Sequence, residues 1–257
     1  MNRMFSCALL CALIFAGCKK EDVKPVEINK NKIAELTSDK TTITLWSEKA
    51  GLTTGYNKLY VSLKEDNGKE ISNAAVSFMP MMDMGTMKHS SPLEQPLFNS
   101  TLRLYEGAVV FTMPTSAMGS WQLDVSVNSV TVSFPVTINS TTQKHVASFV
   151  GTDENKYFIS LVSPLQWKIG LNDLDIVINR QASKMDFPAD DGFTVAFFPE
   201  MPSMEHGSPN NVDPVLKGNG HYLGKVNYTM SGDWRLHFKL KKNGIVIKDD
   251  VSLDILF

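Results

Sequence analysis

Beyond residue 18 the chain has no cysteine: all three, Cys7, Cys11 and Cys18, fall in the opening stretch. Disulfides are therefore excluded from the rest, and the folded part must be held by its apolar core alone. An excess of either charge is also lacking, with 25 Lys and Arg against 27 Asp and Glu. No basic block or stripe is present to neutralise phosphates, so no nucleic-acid partner is expected. Long apolar runs are confined to Ala8–Ala16, and no later stretch shows a helical period of useful length. Catalytic signatures are missing too. There is no nucleophile elbow, no phosphate-cradling glycine loop and no His-Glu-x-x-His. Asp173 and Asp175 alternate within a strand pattern as solvated edge charges. Five histidines in all are too few for a copper oxidase. The expectation is a protein that is not an enzyme.

The opening stretch itself is informative. Arg3, the apolar run and Gly17 before Cys18 read as a secretory signal, too short to span a membrane. The ending "FAGC" resembles the bacterial lipobox, with Phe15 in place of the usual Leu. The resemblance implies that residues 1–17 are removed, that Cys18 is lipidated, and that the chain is held on a membrane by its lipid. "KKED" after Cys18 resembles the tag that sends some lipoproteins to the outer face of the outer membrane; a simple solvated spacer is the other reading. Residues 18–37, rich in Lys, Glu and Asn, are expected to be a flexible tether.

The remainder falls into two collinear copies. "GYNKLYVSL" (55–63) answers to "GLNDLDIVI" (170–178), and "AAVSFMP" to "FTVAFFP". "YEGAVVFTM" (105–113) answers to "YLGKVNYTM" (222–230) without a gap, and "GSWQLDVSV" to "GDWRLHFKL", which sets Trp121 opposite Trp234. Such an order marks a duplication. Within each copy, segments such as "KLYVSL", "TVSFPVTI" and "DWRLHFKL" alternate apolar and polar residues, and "EDNGKE" and "KKNG" punctuate them. The expected fold is all-β, two tandem immunoglobulin-like β-sandwiches over 38–140 and 145–257, with the two tryptophans as core plugs.

Both copies also carry Met-x-x-Met-x-His: Met84, Met87, His89 and Met201, Met204, His206. Of the 11 methionines after the signal, seven sit at 79, 81, 82, 84, 87, 201 and 204. Core methionines are scattered gap fillers, whereas these cluster among Pro, Gly, Asp, Lys and Ser, as on exposed loops. Thioether sulfur is a soft neutral ligand that suits Cu(I), and imidazole is a stronger borderline donor. In an extended chain Met204 and His206 share a face, so each set is a candidate Cu(I) site, with Met113 or Met230 as a fourth donor. The first copy, richer in methionine, should bind more tightly. Two other readings stand beside this one: an apolar lid closing the sandwich, and a contact surface for another envelope protein. His145, His221 and His237 read as surface residues.

Four features together resemble the YtkA-like family, related to FixH-like proteins. They are "G-x-N-x-L" opening a strand, an apolar strand ending in Pro, Met-x-x-Met-x-His, and a closing "M…G-x-W". The resemblance spans roughly residues 40–135 and 155–245. It implies small immunoglobulin-like sandwiches in the cell envelope, linked to copper handling or terminal oxidase assembly, with Met84, Met87, His89, Met201, Met204 and His206 as metal ligands. Copy one departs from copy two in having two more residues between its strand-ending proline and its histidine.

Overall fold

The computed structural model describes residues 28–164 and 166–257. The signal, Cys18 and the first half of the expected tether, residues 18–27, lie outside the described residues. Every regular element among these residues is a β-strand. Copy one runs β1 (Asn31–Ser38), β2 (Thr41–Ser47), β3 (Leu52–Thr53), β4 (Gly55–Glu65), β5 (Val76–Asp83), β6 (Lys88–His89), β7 (Leu93–Asn99), β8 (Leu104–Phe111), β9 (Ser120–Val127), β10 (Val130–Val136) and β11 (Ile138–Asn139). Copy two runs β12 (Val146–Val150), β13 (Lys156–Ser163), β14 (Gly170–Arg180), β15 (Thr194–Met201), β16 (His206–Gly207), β17 (Val212–Gly218), β18 (His221–Tyr228), β19 (Asp233–Lys242) and β20 (Ile245–Leu256).

Each copy is a sandwich of a five-stranded and a four-stranded sheet. Copy one has the orders β1-β2-β4-β8-β7 and β10-β9-β5-β6, and copy two the orders β12-β13-β14-β18-β17 and β16-β15-β19-β20. Strand for strand the two topologies correspond. Among the described residues only the short parallel pair β3–β11, which ties the end of copy one back to its start, has no counterpart. Each sandwich closes over its own apolar core, one built from residues between Ile43 and Ile138 and the other from Phe149 to Ile255. The expected tether is shorter than the sequence suggested. Residues 31–38 pair with β2 as an edge strand, because backbone pairing along β2 does not require the strand to be apolar on either side.

The motifs shared by the copies resolve into packing devices. In "G-x-N", Gly55 and Gly170 take φ of 102° and 94°, which L side chains rarely adopt. Asn57 then donates to the carbonyls of Thr53 and Gly55 and accepts from the Thr53 amide, while Asn172 does the same with Lys168 and Gly170. The tyrosine hydroxyls of "Y-x-G" accept the Ala74 amide (2.8 Å, Tyr105) and the Phe193 amide (2.9 Å, Tyr222). Asn243 and Gly244 of "KKNG" both have positive φ, as a two-residue hairpin between β19 and β20 demands.

Strands β9, β10, β15 and β19 alternate buried and open residues as the sequence suggests. "KLYVSL" does not: within β4 every residue from Leu59 to Leu63 is buried. The same holds for Ala108–Phe111 of β8 and Tyr157–Leu161 of β13. A continuous run of this kind is what a strand covered on both faces shows. One face lines the sandwich core. On the other, Ala108 and Val110 of copy one lie in one groove with Val177 and His221 of copy two, and Tyr60 shares another with Val162 and Asp175. The copies are therefore docked, not strung as separate beads.

Candidate functional site

The hairpin between β5 and β6 positions the first Met/His set. Met82 pairs with His89 across the ladder, and in copy two Met201 pairs with His206. The chain thus reverses between the methionines and the histidine, and the extended run assumed for Met204 and His206 does not occur. Residues 202–205 are a turn closed by the Met204 amide on the Met201 carbonyl, 3.1 Å.

The ladder also re-aligns the motif. Met201 corresponds to Met82, not to Met84, because the hairpin of copy one is two residues longer. Met82 and Met201 are 1% and 2% exposed and belong to the two cores. A Cβ on Gly119 would lie 2.5 Å from the Met82 methyl, and one on Gly232 would lie 2.8 Å from the Met201 methyl. The glycine of "G-x-W" therefore leaves room for a buried methionine. The tryptophans close the same layer: Trp121 donates to the Met113 carbonyl (2.9 Å) and Trp234 to that of Met230 (3.1 Å). His89 and His206 each stand edge-on to that tryptophan at 5.8 Å. In "M…G-x-W" it is thus the methionine's backbone oxygen that the fold uses.

Met84 and Met87 lie on the extra length of the first hairpin. Gly85, at φ 79°, and the Met84 amide on the Met87 carbonyl (2.9 Å) turn the chain there, and Asp83 holds it by accepting the Gly85 amide and pairing with Lys88 at 2.8 Å. The Lys88 ammonium holds the Asp83 carboxyl below the usual carboxylate range, with the Gly85 amide adding to it. Met84 is half-buried against the core and Met87 is 40% exposed. Together with His89 and Met113 they line a cleft of about 630 Å³ whose other wall comes from copy two: Val146, Ser148, Lys156, Phe158, Lys184 and Phe187. The His89 Nδ1 meets the Ser90 carbonyl at 2.8 Å. A carbonyl only accepts, so Nδ1 is the donor, and Nε2 is the ring nitrogen left for another partner. That is the arrangement by which a backbone oxygen orients a metal-ligating imidazole. The structure thus brings Met84, Met87, His89 and Met113 to one cleft. In copy two it sends Met201 into the core and leaves Met204, 59% exposed, on the outer turn with His206 half-buried against Trp234. Among the described residues no group of three or more His, Cys, Asp or Glu is placed to hold a metal, so any metal here would rest on thioethers.

Two histidines read as surface residues are structural. His221, with an 18% exposed side chain, spans the joint between the copies: Nδ1 lies 3.0 Å from Asp175 of its own sandwich, and Nε2 lies 2.9 Å from Glu94 of the other. Hydrogen bonds to Asp175 and then Glu94 push its pKa up to about 10. Tyr56 stands edge-on to it at 6.3 Å, its phenol pushed up by burial and then by Glu94. His145 faces Gly55 so closely that a glycine Cβ would come within 3.0 Å, and burial pushes the imidazole down. His237 lies on the outer face of copy two, stacked on Phe198 at 4.7 Å between Glu200 and Asp250. The residues that meet across the copies carried no sequence signal, since their partners lie about a hundred residues away.

No family model matches the chain, and no curated protein resembles it. Among solved structures it is similar to the Escherichia coli adhesin FdeC, at 11% identity and a TM-score of 0.28, over 88% of this chain and 66% of that one. It is also similar to a conserved domain protein of Bacillus anthracis (12%, TM-score 0.34, 89% of this chain and 91% of that one) and to the titin Ig tandem A164-A165 (9%, TM-score 0.19, 80% and 90%). Identities and TM-scores this low carry no inference about what the chain does.

Proposed function

We propose that this is a lipid-anchored protein of the bacterial envelope that holds one Cu(I) ion in the cleft between its copies. Met84, Met87 and His89 are the ligands and Met113 is the fourth donor. Its chemistry is binding and ligand exchange, for copper handling or oxidase assembly, in keeping with the YtkA-like resemblance. The observation that carries the reading is the orientation of His89. Its Nδ1 faces the Ser90 carbonyl, which leaves Nε2 as the uncommitted ring nitrogen of a residue that lines one cleft with Met84, Met87 and Met113. Copy two keeps the motif in letters only. Met201 serves the core, so Met204 and His206 are left as an incomplete pair.

The test is Cu(I) stoichiometry against a competing chelator, on the chain from residue 28 onward. One ion per chain is expected. Affinity should fall by more than about tenfold in His89→Ala and in the Met84→Leu/Met87→Leu pair, and hold in His206→Ala. Equal, weak binding by wild type and His89→Ala would remove the copper reading. A second reading is a non-metal binding module that contacts another envelope component. It is favoured by Met87 and Met204 standing open at hairpin tips, where flexible thioethers adapt to partners. Under that reading, Met87→Ser with Met204→Ser abolishes capture of a crosslinked partner while copper plays no part.

A further inference from the structure

The cleft is much larger than an ion, and the wall facing the Met/His set carries positive charge. About 630 Å³ is the size of a small-molecule site. Its lining includes Lys144, Lys156 and Lys184 and no Asp or Glu. Among the described residues none of these three ammonium groups is within ion-pair distance of a carboxylate, although eight other lysines are. The backbone of Lys184 is fixed beside the Met/His set, because its carbonyl accepts the amide of Ser90, the residue after His89, at 2.8 Å. The Lys156 ammonium lies 5.3 Å over the ring of Phe158, which itself meets Phe187 edge-on at 5.6 Å. Lys144 points its ammonium to the Ser252 hydroxyl, 3.0 Å, and so stands to one side. The wall from copy one is thus soft donors, and the wall from copy two is cationic and aromatic.

A bare monocation would satisfy the first wall and be repelled by the second. A free organic anion would satisfy the second and leave the thioethers idle. We propose that the cleft takes its metal as an anionic complex, Cu(I) already held by small anionic sulfur ligands. This inference rests on the Cu(I) reading above. The metal adds the thioethers of Met84 and Met87 and Nε2 of His89. The negative ligand shell faces Lys156 and Lys184, and its apolar part lies against Phe158 and Phe187. Cu(I) holds at most four donors, so one anionic sulfur ligand leaves to solvent as the three protein donors bind, the other stays on the metal, and no electron is transferred. Copy two thereby supplies ligand selection, a role that its own hairpin does not offer.

Anaerobic equilibrium dialysis of the lipid-free chain tests this, with Cu(I) supplied either as the acetonitrile-solvated cation or as the bis-thiosulfate anion carrying radiolabel. Wild type should retain metal and label together. Lys156→Gln/Lys184→Gln should lose at least tenfold in label retention at low salt, lose the salt dependence that wild type shows, and hold the solvated cation at least as well as wild type. Met84→Leu/Met87→Leu should lose both metal and label. Metal retained without label, or label retained equally by the lysine variant, overturns the anionic complex and leaves the Cu(I) site standing. Label retained undiminished by the methionine variant overturns it as a plain anion site. Metal retained in neither form removes the copper reading itself.

Discussion

His221→Gln removes the cation from the joint between the copies while keeping a polar side chain of similar reach. In the wild type that cation is shared by Asp175, as buried as the histidine, and by Glu94, which is half open. Truncating a buried, hydrogen-bonded charge pair costs about 2–5 kcal/mol, whereas an exposed pair is worth about 0–1 kcal/mol. With one pair of each character, about 2 kcal/mol is expected at neutral pH, or about 4–8 °C in Tm for a chain of this size. The pH dependence gives the sign. Pairing raises the folded-state pKa from 6.5 to about 10. The stabilisation is therefore complete below the unfolded value of 6.5 and declines as pH rises, until it is gone above about 10. Thermal unfolding of wild type and His221→Gln across that window measures it. The gap in Tm should be widest near pH 6.5 and close by about pH 10.5. A gap that is constant across the window, or absent at its acid end, would refute a charged histidine as the clasp.

Gly224→Ala should destabilise copy two by about 2–3 kcal/mol in denaturant unfolding, through backbone displacement. A Cβ there would stand 2.5 Å from the Val212 carbonyl and 2.9 Å from the Pro214 nitrogen, neither of which can swing aside. Gly68→Ala, which has open space around it but a positive φ, should cost less. His145 titrates in the opposite sense to His221. Burial lowers its pKa below 6.5, so its stabilising neutral form is present above that pH and is lost as pH falls through the lowered value. His145→Asn should flatten the acid limb of the Tm profile below about pH 6.5 and leave the alkaline limb unchanged.

The linear sequence carried a great deal of the architecture. Period-two alternation, paired with turn residues such as Asn243-Gly244, is a local property of the backbone and needs no partner to be read. The duplication was legible because both copies solve the same packing problem with the same residues. Asn57 and Asn172 close the same turn, Tyr105 and Tyr222 the same corner, and Trp121 and Trp234 the same lid over a buried methionine. The Met/His motif was legible as letters, but its register was not. A two-residue difference in hairpin length decides whether Met84 or Met82 matches Met201. Only the ladder, pairing Met82 with His89 and Met201 with His206, shows that one methionine of each copy belongs to the core.

What the amino-acid order determined by itself is therefore each sandwich, because the interactions that make a strand, a hairpin and its alternating face are near neighbours in the chain. What tertiary structure alone decided is everything that depends on the two copies meeting. That includes the second buried face of β4 and β13, the bridge from Glu94 through His221 to Asp175, and the cleft that sets Met84, Met87 and His89 opposite Lys156 and Phe158. Contacts between residues about a hundred positions apart leave no periodic trace, since nothing in the chain between them need change when they form.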